Sequence, residues 1–169
     1  KKSSSQDSEI VNLLKNAGAI VMGKTVTCEL AYIHPSKTRN PHDYSRTPGG
    51  SSSGSAAVVA SYMSHLSIGS QTGGSVIRPA SYCGVVGYKP SYGLISRSGV
   101  LKVSDKLDTI GVFGRSVKDV AFLAKSLIRK DLYDASTIYF SSDRMLEVCE
   151  EKLEFDPKFI FYKTDSWKK

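Results

Sequence analysis

Apolar positions recur at helical spacing near the start of the chain. Ile10, Leu13, Leu14 and Ala17 stand at i, i+3, i+4 and i+7, which predicts an amphipathic helix over residues 7–17. Asp7 or Ser8 can cap its start, and Gly18 suits the position after its end. The apolar run Ala19 to Met22 then reads as a short buried strand. Gly54 to Met63 is small and apolar, so a buried, closely approached helix is expected there. Leu66 to Gly69, Val85 to Tyr88 and Ile110 to Phe113 are short strand candidates. Ser116 and Asp119 form a box-like pair at the head of the clearest helix, whose inner face is Val117, Val120, Ala121, Ala124, Leu127 and Ile128. Beyond Arg129 the pattern weakens to a helix over Arg144 to Leu153 and a last strand over Phe159 to Tyr162.

Helices and strands in alternation predict an α/β architecture: a mixed β-sheet core flanked by helices. There is no internal repeat and no internal boundary, so residues 1–169 read as one domain. The opening helix leads straight into a buried strand, which implies an earlier strand ahead of Lys1. No helix follows Phe159 to Tyr162 to cover it. The chain is therefore expected to be the core of a larger domain, cut at both ends.

Composition removes several classes. Hydrophobic residues make up 40% and charged residues 23%, ordinary values for a globular chain with a core. The net charge of +7 comes from bases spread along the sequence, which reads as a solvated surface and not as a nucleic-acid face. Cys28, Cys83 and Cys149 are odd in number and lack ligand spacing, so neither a disulfide framework nor a metal site is expected, and a reducing, cytoplasmic setting fits. No apolar run reaches the length of a bilayer span, and Lys1-Lys2-Ser3-Ser4-Ser5 leads into no signal-peptide core. His34 and His42, in the long irregular connection 34–50, have no partner at ligand spacing and read as exposed. Glu29 reads as structural. Gly23-Lys24-Thr25 ends like a phosphate-binding loop but follows helix and strand instead of joining strand to helix, which excludes that motif.

The chemistry concentrates in two glycine–serine loops, Gly49-Gly50-Ser51-Ser52-Ser53-Gly54 and Thr72-Gly73-Gly74-Ser75. Glycine lets the backbone turn and approach a substrate closely. Behind Thr72-Gly73-Gly74, consecutive amides can face the oxygen of a carbonyl attacked at Ser75, and one such donor is worth ~3 kcal/mol in a transition state. The helix beginning at Gly54 adds its dipole to the first loop. A serine needs a base to become nucleophilic, and no histidine follows Ser75. Gly50-Ser51-Ser52-Ser53-Gly54 also satisfies G-x-S-x-G, yet the acid and histidine a hydrolase elbow requires do not follow it in order. A flexible linker is excluded because the loop runs directly into Ala56 to Ala60.

Residues 49–84 resemble the glycine–serine signature of the amidase signature enzymes. The likeness continues through Gly18 to Thr25, Glu29-Leu30-Ala31, Thr38-Arg39-Asn40-Pro41, Ser45-Arg46-Thr47-Pro48, Leu107-Asp108-Thr109-Ile110-Gly111 and Phe159 to Trp167. The resemblance implies the amidase signature fold, in part, and a Ser–cis-Ser–Lys triad without cofactor. In it Ser75 is the nucleophile and Ser51, in a cis peptide after Gly50, relays the proton. Thr72, Gly73, Gly74 and Ser75 would hold the oxyanion, with Ser52, Gln71 and Arg78 as supports. The implied reaction is hydrolysis of a small-molecule amide through an acyl-enzyme. By the same resemblance the triad lysine precedes Lys1, and Lys24 matches a different lysine. Gln71 stands where an acidic residue is usual, and Arg78 lies one place further from Ser75 than in many members. Both features argue against a glutamyl-tRNA amidotransferase A-like subunit, which stays as one alternative. The other is a catalytically incomplete fragment or degenerate homologue. The oligomeric state is left open, a homodimer included.

Overall fold

The computed structural model describes residues 5–32 and 34–168; Lys1 to Ser4, read above for a presequence, lie outside them. The first helix, α1 (Glu9–Asn16), buries Ile10 and Leu13. Its end is the expected glycine turn: Gly18 has φ +80°, and the amides of Gly18 and Ala19 donate to Lys15 and Leu14. Ser8 occupies the N-cap without donating or accepting a side-chain cap bond.

Then come α2 (Ser53–Ala60), β1 (Ser67–Gln71), α3 (Ile77–Cys83), β2 (Val86–Tyr88), β3 (Thr109–Gly114), α4 (Val117–Leu127) and α5 (Met145–Val148). The sheet order is β1-β3-β2, and β3 pairs antiparallel with both neighbours. A mixed sheet is the sequence expectation. Here β1 and β2 do run parallel to each other across the α3 connection, but β3 lies between them, so every ladder among the described residues is antiparallel.

Successive side chains of β3 point to opposite faces. Ile110 and Val112 enter a core with Ile10 and Leu13 of α1 and with Val120, Leu123, Ala124 and Leu127 of α4. Phe113 enters the other core with Ala56 and Val59 of α2 and with Val76, Ala80 and Cys83 around α3. The α/β class therefore holds, with helices on both faces. On the second face the sheet is thinned by glycine. A Cβ on Gly69 would meet Ser52 Oγ at 2.4 Å, and one on Gly111 would meet Val76 at 2.8 Å. That is how α2, α3 and their serine loops come to rest on the sheet.

The capping box of α4 forms as expected: Ser116 Oγ accepts from the Asp119 amide at 3.1 Å, and Asp119 Oδ2 accepts from the Ser116 amide at 2.9 Å. Four expectations are corrected. Ala19 to Met22 and Phe159 to Tyr162 form no strand; Ile20 is 85% and Ile160 93% exposed, and no neighbouring strand pairs with either run among the described residues. The helix over Arg144 to Leu153 shrinks to α5. The helix from Gly54 stops at Ala60, because Tyr62 turns to φ +60°. Helix α3 was not expected; Pro79 sits in its first turn, where no amide is needed, and Gly84 at φ +64° ends it.

Candidate active site

The first serine loop is held from beneath. Gly49 takes φ +79° with Pro79 Cα 2.9 Å from where a Cβ would stand, and the Gly50–Ser51 peptide is cis. The Ser51 carbonyl accepts the Cys28 amide at 3.0 Å, and a Cβ on Gly50 would lie 2.6 Å from Cys28 Sγ. Ser52 faces β1: its hydroxyl donates to the Ser70 carbonyl at 3.2 Å and accepts the Ser70 amide at 3.3 Å. Ser53 shares a hydrogen bond with Ser36 at 2.8 Å, and Ser55 donates to the Ile68 carbonyl at 2.7 Å. The Gly54 amide, at the head of α2, donates to the Val26 carbonyl at 2.8 Å.

The second loop is shaped by Thr72 and by side chains on either side of it. Gln71, 8% exposed, accepts the amides of Val76 and Ile77 on Oε1 at 2.9 and 3.0 Å and donates from Nε2 to the Gly73 carbonyl at 3.3 Å. One amide group thus caps the start of α3 and closes the turn before it, which an acceptor-only carboxylate could not do. Thr72 Oγ1 donates to Asp108 Oδ1 at 2.5 Å. Arg78 reaches back, Nη1 lying 3.5 Å from the Gly50 carbonyl oxygen and Nη2 2.8 Å from where a Cβ of Gly74 would be.

The two loops meet. The Ser52 amide donates to the Ser75 carbonyl at 3.2 Å, so Ser51 and Ser75 flank a direct backbone bond. Ser51 is 2% exposed, and its Oγ is buried with no hydrogen-bond partner among the described residues. Ser75 is half-buried, and Gly73 is exposed with open space where a Cβ would be. The amides of Gly73, Gly74 and Ser75 donate to no other described residue. An orphan hydroxyl, a half-buried serine and three unclaimed amides therefore lie on the two loops that this backbone bond joins. Buried polar groups normally find partners, and Ser51 Oγ is the exception among the described residues.

Of the other candidates, Cys28 borders the first loop and the rest serve elsewhere. Lys24 is exposed in irregular chain that opens no helix, so the phosphate-loop reading has no geometry to support it. His34 and His42 are exposed as expected; the His42 ring also bonds the Cys83 carbonyl at 2.9 Å, tying the 34–50 connection to the end of α3. Asn40 does the same, donating to the Tyr82 carbonyl at 2.8 Å. Cys28 and Cys83 are buried and free, and burial pushes the Cys83 thiol up to about 11. No group of residues able to hold a metal ion occurs among the described residues, and none of their helices is long and apolar enough to cross a membrane.

Sequence reasoning gave no role to Asp108. Its Oδ2 accepts the amides of Val103 and Ser104 at 2.6 and 3.0 Å. Burial works to raise its pKa, but the hydrogen bonds from Thr72, Ser104 and Val103 and the charge of Arg97 outweigh that and hold the carboxyl below the usual range. The available signal was its place one residue ahead of a strand.

A family model described as Amidase matches residues 1–168. The A-type subunit of glutamyl-tRNA(Gln) amidotransferase from a Sulfurihydrogenibium species is 47% identical over 137 residues, covering 78% of this chain and 28% of that protein. The crystal structure of the protein of the same name from Thermotoga maritima superposes with a TM-score of 0.78 at 44% identity, covering 82% of this chain and 32% of that one. Native peptide amidase from Stenotrophomonas maltophilia gives 0.73 at 37% identity, over 78% of this chain and 29% of that one. The chain thus spans less than a third of the length of each.

Proposed function

This chain belongs to the amidase signature family, and from that premise we propose that the protein it represents hydrolyses a carboxylic amide through a serine acyl-enzyme, residues 1–169 being the signature-bearing core of a larger amidase domain. The observation that carries the reading is the buried, unpartnered Ser51 hydroxyl one residue from the Ser52–Ser75 backbone bond. Ser75 Oγ attacks the carbonyl carbon and gives its proton to Ser51. Ser51 passes its own proton to a general base that the described residues do not bring to it; the family pattern makes that base a lysine. The carbonyl oxygen takes the negative charge and accepts from the amides of the Thr72–Ser75 strip. As the C–N bond breaks, the proton returns through Ser51 to the departing amine. Water then attacks the acyl carbon by the same proton route, the carboxylic acid leaves and Ser75 is restored.

Ser52, Gln71 and Arg78 support this site through its backbone: Ser52 fixes the first loop to β1, Gln71 shapes the second, and Arg78 spans the two. The substrate is a small-molecule amide, no cofactor enters the reaction, and the three free cysteines suit the reducing cytoplasm. Incubation of the complete protein with a fluorophosphonate, followed by peptide mapping, is expected to place the adduct on Ser75. An unlabelled Ser75 in the complete protein sinks the reading and favours a degenerate homologue.

A second reading is supported by the 47% identity to a protein named as the A-type subunit of glutamyl-tRNA(Gln) amidotransferase. In it the same cleavage releases ammonia for a tRNA-bound acceptor. That identity outweighs the contrary hints at Gln71 and Arg78. Co-purification of the complete protein with a second polypeptide of such a complex, and tRNA-dependent release of ammonia from glutamine, separate it from a free-standing amidase.

A further inference from the structure

The ladder between β1 and β3 closes at Gln71 opposite Thr109. One step further, Thr72 faces Asp108, and there the strands part so that Gly73 and Gly74 can bend away. At that point a side-chain bond takes the place of the backbone ladder: Thr72 Oγ1 donates to Asp108 Oδ1 at 2.5 Å. The second carboxylate oxygen is engaged by the amides of Val103 and Ser104. The Asp108 backbone is held as well, its amide donating to the Ser104 carbonyl at 3.1 Å and its carbonyl accepting from Arg97 Nη1 at 3.4 Å. Asp108 is 7% exposed, and all three groups that face its carboxylate are hydrogen donors. An ionised carboxylate accepts from all three at once, and an alanine in its place would leave the Thr72 hydroxyl and both amides without that acceptor.

Resting on the amidase reading above, we propose that Asp108 is a positioning residue for that reaction: through the Thr72 hydroxyl it holds the Thr72–Ser75 strip in the path where its free amides meet the developing oxyanion. Gln71 caps α3 from one end of the strip, and Asp108 fixes the strip's start to the firm 103–108 turn. Without the Thr72 bond the strip keeps the Gln71 Nε2 bond to the Gly73 carbonyl but loses its tie to the 103–108 turn. Donors that wander from the oxyanion cost rate in the transition state and leave ground-state binding nearly untouched.

The test uses the complete protein with a primary carboxamide selected from a panel by ammonia release, and measures both turnover and the rate at which a fluorophosphonate labels Ser75. Thr72→Val removes the hydroxyl and leaves Asp108 its bonds to Val103 and Ser104. It is expected to lower kcat about 10- to 100-fold, the scale of a misplacement near 1 Å, with KM within about twofold. The labelling rate falls in parallel, because attack on phosphorus also builds charge on an oxygen. Thr72→Ser restores both. Asp108→Ala lowers kcat at least as far, and the double variant T72V/D108A loses no more than D108A alone, since both break the Thr72–Asp108 bond. A Thr72→Val protein with wild-type kcat overturns the inference, as do losses that multiply in the double variant. If D108A does not fold, T72V against T72S decides. A wild type that neither takes label nor turns over an amide removes the amidase reading and this inference with it; a wild type that does both while T72V matches it removes the inference alone.

Discussion

Around Arg97 every polar group that leaves water finds a partner, while around Ser51 one does not. Arg97 is 5% exposed. Its Nε donates to Asp134, Nη1 to the carbonyls of Asp105 and Asp108, and Nη2 to Tyr92 and Ser136, while the guanidinium lies 4.9 Å from the Tyr92 ring centre. Asp131 beside it accepts the hydroxyls of Ser96 and Ser98 at 2.5 and 2.6 Å. Such a network fastens the 92–108 segment to the 129–137 segment and leaves nothing over. Ser51 is equally buried, yet its hydroxyl faces no partner among the described residues. Burial is the same and satisfaction is not: Arg97 holds the fold, and under the proposed reading Ser51 is kept for a catalytic neighbour.

The largest effect on stability is expected where the network is cut. Arg97→Met leaves Asp134 buried and short of its cation, and should cost about 3–5 kcal/mol in a denaturant titration. A loss under about 1 kcal/mol would mean that the cluster is not tightly held and would break the contrast. A smaller effect comes through pH. Burial works to raise the Asp134 pKa, but the hydroxyl and amide of Ser136 and the N–H groups of Arg97 overcome it and hold the carboxyl down at about 2, from 3.8. The folded value lies below the unfolded one. The stabilisation is therefore fully present above pH 4 and lost as pH falls toward 2, on the order of 2 kcal/mol. Denaturation midpoints at pH 5 and pH 2.5 should diverge in the wild type and diverge less in Asp134→Asn.

What the sequence revealed was local. Helices α1 and α4 carry their own periodicity and end signals, and the Ser116–Asp119 box lies within four residues, so both could be read directly. Helix α3 has no apolar period, and its cap, Gln71, is the last residue of β1, on the far side of the loop before the helix. The run Ala19 to Met22 shows the converse: apolar residues mark a strand only when a neighbour takes up the backbone bonds. The two serine loops stood out because glycine pairs ahead of serines are hard to explain as packing. Asp108 did not, because its meaning depends on the register that sets it opposite Thr72, and register is a property of two strands. The Arg97 cluster was hidden for the same reason, joining residues more than thirty positions apart.

The smallest expected effect on stability sharpens the comparison most. Ser51→Ala deletes a hydroxyl that makes no bond, so no partner is orphaned and the desolvation cost of a buried O–H is removed. Stability should be unchanged or rise by up to about 1 kcal/mol, where cutting a satisfied buried bond would lower it. The Ser51 carbonyl still accepts the Cys28 amide, so the loop keeps its anchor. Under the proposed proton route the same variant should lose fluorophosphonate labelling at Ser75, since the nucleophile then has no acceptor for its proton. Stability and reactivity thus move in opposite directions from one atom. A thermal melt with a labelling time course checks both at once. Destabilisation by more than about 1 kcal/mol would give the Ser51 hydroxyl a structural partner, and Ser51 would then belong with Arg97 among the groups that only hold the fold.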